Sequence, residues 1–99
     1  MKADYYEVGI VAMDNECNNI VKCISIDVLG TFKCAMQVCQ HTIEELEAGH
    51  YNNQLRGIQY CYITILPYDS DWDGALGFAE NYSTAYYHRV GDNWKKVAE

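Results

Sequence analysis

Basic residues are scarce in this chain. Seven Lys and Arg stand against 14 Asp and Glu in 99 residues, a formal net charge of −7. Direct nucleic-acid binding wants a basic stripe to neutralise phosphates, so this balance argues against it and favours basic partners, cations or plain solubility. No stretch is long and apolar enough to span a bilayer, so no membrane partner is expected. Met1-Lys2-Ala3-Asp4 does not open a secretory signal, because an acidic, tyrosine-rich segment follows directly. Paired cysteine spacing is missing too. Cys17, Cys23, Cys34, Cys39 and Cys61 are odd in number and contain no Cys-x-x-Cys. They read as small core residues of a reduced compartment, not as a disulfide frame, and the cytoplasm is the expected location. The sequence has no Gly-x-Ser-x-Gly, no phosphate-binding glycine loop and no His-Glu-x-x-His, and an enzyme is not expected. Cys39 and His41, two apart on a helix, do not face one ion. His50 and His88 read as surface imidazoles.

What is present fits one domain, residues 1–99. Tyr5 to Met13 alternates as a strand, with Tyr6, Val8, Ile10 and Ala12 on one face. Asp14 to Asn19 is a polar turn. Ile20 to Val28 is a second strand, with Ile24, Ile26 and Val28 sharing a face. Between Thr31 and Ala48, Phe32, Ala35, Met36, Cys39, Ile43 and Leu46 recur at three and four, which predicts an amphipathic helix of about five turns. Gly49 stands where a helix stops. A rival reading alternates Phe32, Cys34, Met36 and Val38 as a third strand, with Thr42 capping a short helix. The helix is preferred because its polar register runs unbroken to Glu44. Tyr51 to Arg56 is a polar connection. Gly57 to Leu66, apolar on both faces, is a central strand. Tyr82 to Val90 and Asn93 to Val97 complete a hairpin around Gly91-Asp92. The expected fold is α+β: an antiparallel sheet of about five strands with one long helix across a face, in the order ββαβββ.

Between the third and fourth strands lies Asp69-Ser70-Asp71-Trp72-Asp73-Gly74-Ala75-Leu76-Gly77-Phe78-Ala79-Glu80. Carboxylates stand at positions 1, 3, 5 and 12, glycine at 6 and an aliphatic residue at 8. The stretch resembles the twelve-residue calcium loop of EF-hand proteins, and the resemblance covers those twelve residues only. It implies a Ca²⁺ site held by Asp69, Asp71, Asp73, the Ala75 carbonyl and Glu80. The entry departs from the family. Ile58 to Tyr68 is β-branched, aromatic and proline-ended, so it reads as a strand where an EF-hand has a helix. An exit helix from Phe78 to Tyr87 is an alternative to the fourth strand. An acidic turn with no metal is the plain reading of the same residues.

The aromatic residues suggest a surface. Tyr5, Tyr6, Tyr60, Tyr62, Tyr82, Tyr86, Tyr87 and Trp94 exceed what a small interior needs, and Tyr and Trp are enriched at protein interfaces. An aromatic sheet face under the helix would account for many of them. Two acidic groups accompany them: the 69–80 loop, and Glu44, Glu45 and Glu47 at the helix end. Together they predict a small acidic, non-enzymatic binding protein. By analogy of class it would be an inhibitor or adaptor of the kind made by phages and mobile elements against host defences, or an immunity protein. It would meet a basic, nucleic-acid-binding protein through Asp69, Asp71, Trp72, Asp73, Glu44, Glu45 and Glu47. The alternatives are a calcium-binding module using residues 69–80 and, least supported, a small enzyme or ligand-binding domain with a pocket between helix and sheet.

Overall fold

The computed structural model describes residues 4–68 and 82–97. They form five strands and one helix: β1 (Tyr5–Met13), β2 (Ile20–Leu29), α1 (Phe32–Glu47), β3 (Tyr60–Tyr68), β4 (Tyr82–Val90) and β5 (Asn93–Lys96). The strands make one antiparallel sheet in the order β2-β1-β3-β4-β5, and the fold is α+β with the helix on one face. Both β2 and β3 pair antiparallel with β1, so they run parallel to each other. A hairpin cannot join them, and the crossover is made by α1.

The helix forms where the three-and-four spacing places it, and the strand alternative for Phe32 to Val38 is not adopted. Thr31 caps it with extended backbone, its hydroxyl accepting the Cys34 N–H at 3.2 Å. At the other end Gly49 takes φ +88°. The Gly49 N–H reaches the Leu46 carbonyl and the His50 N–H the Glu45 carbonyl, each at 3.0 Å, which is a Schellman closure. The buried stripe is Ala35, Cys39, Thr42 and Leu46. Thr42 satisfies its own hydroxyl on the Val38 carbonyl at 2.8 Å.

That stripe packs on Val8, Ile10 and Ala12 of β1 and Cys61, Ile63 and Ile65 of β3, flanked by Ala85, Tyr87 and Trp94. Each fully buried Ile or Leu contributes about 1.5–3 kcal/mol, so the central pair β1 and β3 carries most of the core. The connection after the helix adds a residue that its polar composition hid: Leu55 is completely buried. The connection is also tied to the sheet. Trp94 Nε1 donates to Asn52 Oδ1 and Asn52 Nδ2 to the Asp92 carbonyl, both at 3.0 Å, while Arg89 Nη1 reaches the Leu55 carbonyl at 3.1 Å.

Two local expectations are corrected. Val28 does not share the face of Ile24. A register shift sets Val8 opposite Asp27 and Gly9 opposite Ser25, so Ile26 is the extra residue of a bulge. Beyond it the faces exchange: Leu29 packs on the core and Val28 is exposed. The third strand begins at Tyr60, not Gly57, and runs through Pro67 to Tyr68. Among the described residues its pairing to β4 ends at Ile65, so the missing proline N–H falls beyond that ladder. Of the aromatic residues, Tyr87 and Trp94 are buried in the core.

Candidate functional site

Period-two alternation in β1 and β3 sends Val8, Ile10, Ile63 and Ile65 toward the helix and their neighbours to the other side. Among the described residues no helix or strand packs on that second face. It carries Tyr5, Glu7, Gly9 and Val11 from β1, Tyr60, Tyr62, Thr64, Leu66 and Tyr68 from β3, and Tyr86 and His88 from β4. The register pairs Tyr60 with His88 and Tyr62 with Tyr86, and cross-strand neighbours on one face are close enough for rings to stack. Tyr62 and Tyr86 stack with centroids 4.6 Å apart, Tyr60 and His88 at 4.7 Å, and Tyr60 and Tyr86 at 6.0 Å. A second stack, Tyr5 on Tyr68, stands at 5.1 Å and nearly parallel. All six of these rings are half-buried.

The β1–β2 turn closes one end of this face. The Asp14 carboxylate accepts the N–H groups of Asn18 at 2.8 Å and Glu16 at 3.2 Å and the Asn19 amide at 3.1 Å. These bonds, led by that of Asn18, hold its carboxyl below the usual range. The turn holds Cys17 at φ +59°, a left-handed conformation uncommon for a residue with a side chain. Its thiol lies 2.8 Å from the Tyr86 hydroxyl and 3.8 Å from that of Tyr62. Burial first, and then Cys17, push both phenols above their ordinary range. At the opposite end Glu7 accepts hydrogen bonds from Ser25 Oγ at 2.9 Å and from the Tyr68 hydroxyl at 3.3 Å. Burial, followed by the Glu7 charge, raises the Tyr68 phenol.

Between Glu7 and Val11 the surface dips into a cavity of about 290 Å³. It opens on the sheet face away from the helix. Its floor is Gly9, where an added Cβ would stand 3.0 Å from the Ile24 carbonyl oxygen. The bulge that shifts β2 against β1 also brings this backbone close, and only glycine fits there without displacement.

The predicted site residues fall into two groups. Asp69, Asp71, Trp72, Asp73, Ala75 and Glu80 lie outside the described residues. The flanks of their loop are described: β3 runs to Tyr68 and β4 starts at Tyr82, so the chain enters from a strand and is back in a strand by Tyr82. Glu44, Glu45 and Glu47 stand on the last turns of α1, in the layer opposite the tyrosine face. Glu44 and Glu47 are exposed. Glu45 is engaged within the molecule, 2.7 Å from His41 Nε2 and 3.3 Å from His50 Nδ1. The helix acids and the tyrosine rings therefore do not share one surface.

What sequence reasoning missed is Glu7 and the cavity beside it. Alternation alone places Glu7 away from the core, but Ser25, Thr64 and Tyr68 converge on that spot only through strand register. Among the described residues no group of three or more His, Cys, Asp or Glu side chains is placed to hold a metal ion. No helix of the described residues is long and apolar enough to cross a membrane. No protein-family model matches the chain, and neither a curated protein nor a solved structure shows significant similarity to it.

Proposed function

We propose that this is a small acidic, non-enzymatic binding protein, an inhibitor or adaptor that docks the tyrosine face of its sheet onto a basic protein. The observation that carries the reading is the half-exposed stack of Tyr60, Tyr62, Tyr86 and His88 on the sheet face opposite α1. Tyrosine offers rigid apolar area with a polar tip, and it dominates the centres of protein interfaces. The net charge of −7 supplies long-range attraction to a basic partner. Asp69, Asp71, Trp72 and Asp73, which follow Tyr68 in the chain, join the surface in this reading. Glu44 and Glu47 act on the encounter from the other layer. An origin among phage or mobile-element antagonists of host defence, or among immunity proteins, and a nucleic-acid-binding partner remain the class analogy that its size and charge support.

Affinity purification from the native host tests this. A basic protein should be retained, and its retention should fall as salt is raised past about 0.15 M, where the screening length is about 8 Å. Tyr60→Ser should weaken retention at least tenfold with the fold intact, the loss expected of an interface anchor worth about 1.4 kcal/mol or more. Reversal of Asp69, Asp71 and Asp73 to lysine should slow association. Retention indifferent to salt and to both variants overturns the proposal.

The match at six positions of the twelve-residue loop Asp69 to Glu80 supports a second reading, a calcium-binding module. Strand flanks give no helix pair to swing open, so a filled loop would act as a rigid clasp and not as a sensor. A ligand bound only by the folded state raises the melting temperature, by a stabilisation of about 2.7 kcal/mol at one hundred times its dissociation constant. A melt in calcium against chelator should show that upward shift. No shift at millimolar calcium rejects the reading.

A further inference from the structure

We infer that the Gly9 cavity takes one lysine or arginine side chain of the partner protein, its cationic head on Glu7 and its alkyl stem along Val11 and Leu66. This rests on the reading of the tyrosine face as a docking surface and adds the chemistry of its specificity. Glu7 is half-buried, and its carboxylate is held by two neutral donors, the Ser25 and Tyr68 hydroxyls. Among the described residues no Lys, Arg or His forms an ion pair with it. A carboxylate without a counter-charge gains from a cation brought to it, and gains more once the partner's surface covers the pair and solvent screening falls. The two hydroxyls fix its orientation and occupy only part of its acceptor capacity, since an ionised carboxylate can take about four hydrogen bonds.

The space beside it has a matching shape. The cavity of about 290 Å³ is lined by Glu7, Gly9, Val11, Ser25, Thr64 and Leu66, among others. It is roughly ten times the ~30 Å³ share of a water molecule and lies at the lower end of the ~300–1,000 Å³ that drug-sized ligands occupy. A single long side chain suits it better than a cofactor. Its walls are apolar along Val11 and Leu66 and polar at Glu7, Ser25 and Thr64, which is the amphipathic profile of an alkyl stem ending in a charge. The Tyr5–Tyr68 stack beside Glu7 and the Tyr62–Tyr86 stack toward Cys17 would then meet partner surface on either side of the inserted residue.

Amide chemical shifts of the ¹⁵N-labelled protein test this directly, with N-acetyl-lysine methylamide as probe and its norleucine counterpart as the uncharged control. Saturable shifts at Gly9, Ser25 and Thr64 with the lysine probe are expected, with at least tenfold weaker response to the norleucine probe. Glu7→Gln keeps the size and one acceptor oxygen, its amide nitrogen donating to the other hydroxyl, and should reduce the lysine response at least tenfold. No saturation up to roughly 100 mM lysine probe, or equal response to both probes on the unaltered protein, overturns the inference. A partner retained equally by the Glu7→Gln variant but lost with Tyr60→Ser overturns the cationic side chain while upholding the tyrosine face. A saturable lysine response with retention indifferent to Tyr60→Ser and to salt upholds the pocket as a cation site and overturns the docking reading.

Discussion

Asn52 is the residue on which two unrelated parts of the fold meet. It accepts the indole N–H of Trp94, which is only 3% exposed, and donates to the Asp92 carbonyl. Removing its amide leaves a buried indole N–H with no acceptor, a loss of the kind that costs about 1–3 kcal/mol. Asn52→Ala is therefore expected to lower stability by that amount in urea unfolding. Asn52→Asp, which keeps an acceptor for the indole, should cost less. Nothing in the polar run from Tyr51 to Arg56 marks Asn52 or the buried Leu55 as special. Their roles follow from which strand edge the connection passes. Glu7 is the same kind of case: its side of the strand is legible from alternation, but its partners come from positions 25 and 68.

At the scale of the element, the helix was the most legible part of the chain. Its stripe, its Thr31 cap and its Gly49 stop all lie within 19 consecutive residues, so local chemistry suffices to place them. Thr31→Ala removes the acceptor for the Cys34 N–H and is expected to lower stability by about 1 kcal/mol, measured as a shift in the urea midpoint at unchanged slope. Strand β2 was legible as a strand but not in its faces. A bulge inserts one residue and exchanges the sides of everything beyond it, so Val28 and Leu29 traded places. No pattern within β2 announces this, because the bulge is set by pairing with Gly9 on another strand. The same edge carries exposed Ile20, Val21 and Val28, and its irregular register, with Lys22 and Asp27 set opposite the core-facing Ala12 and Val8, hinders pairing with a further strand.

For the whole molecule, the buried acids that stay protonated set a limit at high pH. Burial pushes the Cys61 thiol from an ordinary 9.0 to about 12, and burial likewise raises the phenols of Tyr62, Tyr68, Tyr86 and Tyr87. A group whose pKa is raised by folding leaves stability unaffected below its unfolded value and costs stability as pH rises from that value to the folded one. The melting temperature should therefore fall steadily above about pH 9, first through Cys61 and then through the tyrosines. Cys61→Ala should remove the earliest part of that slope even though the cavity lowers stability at neutral pH. A melting temperature independent of pH between about 8 and 11 would contradict this account of the core.

By itself the sequence determined the α+β class, the order of the elements, the helix with both its ends, and the two periodicities that divide core from surface. Each of these depends on neighbours within one turn or one strand, where residue type and spacing act directly. It also determined the charge that favours a basic partner and the spacing of the Asp69 to Glu80 loop. Only the tertiary structure decided which tyrosines form a face and which fill the core. Tyr62 and Tyr86 stack because β3 and β4 pair in one register, whereas Tyr87, one residue on, is buried. It alone decided that Glu7, with no counter-charge among the described residues, would stand beside a cavity floored by Gly9. The physical reason is the same in each case: contacts between residues tens of positions apart are fixed by strand register and by the bulge, and neither is written within any one segment.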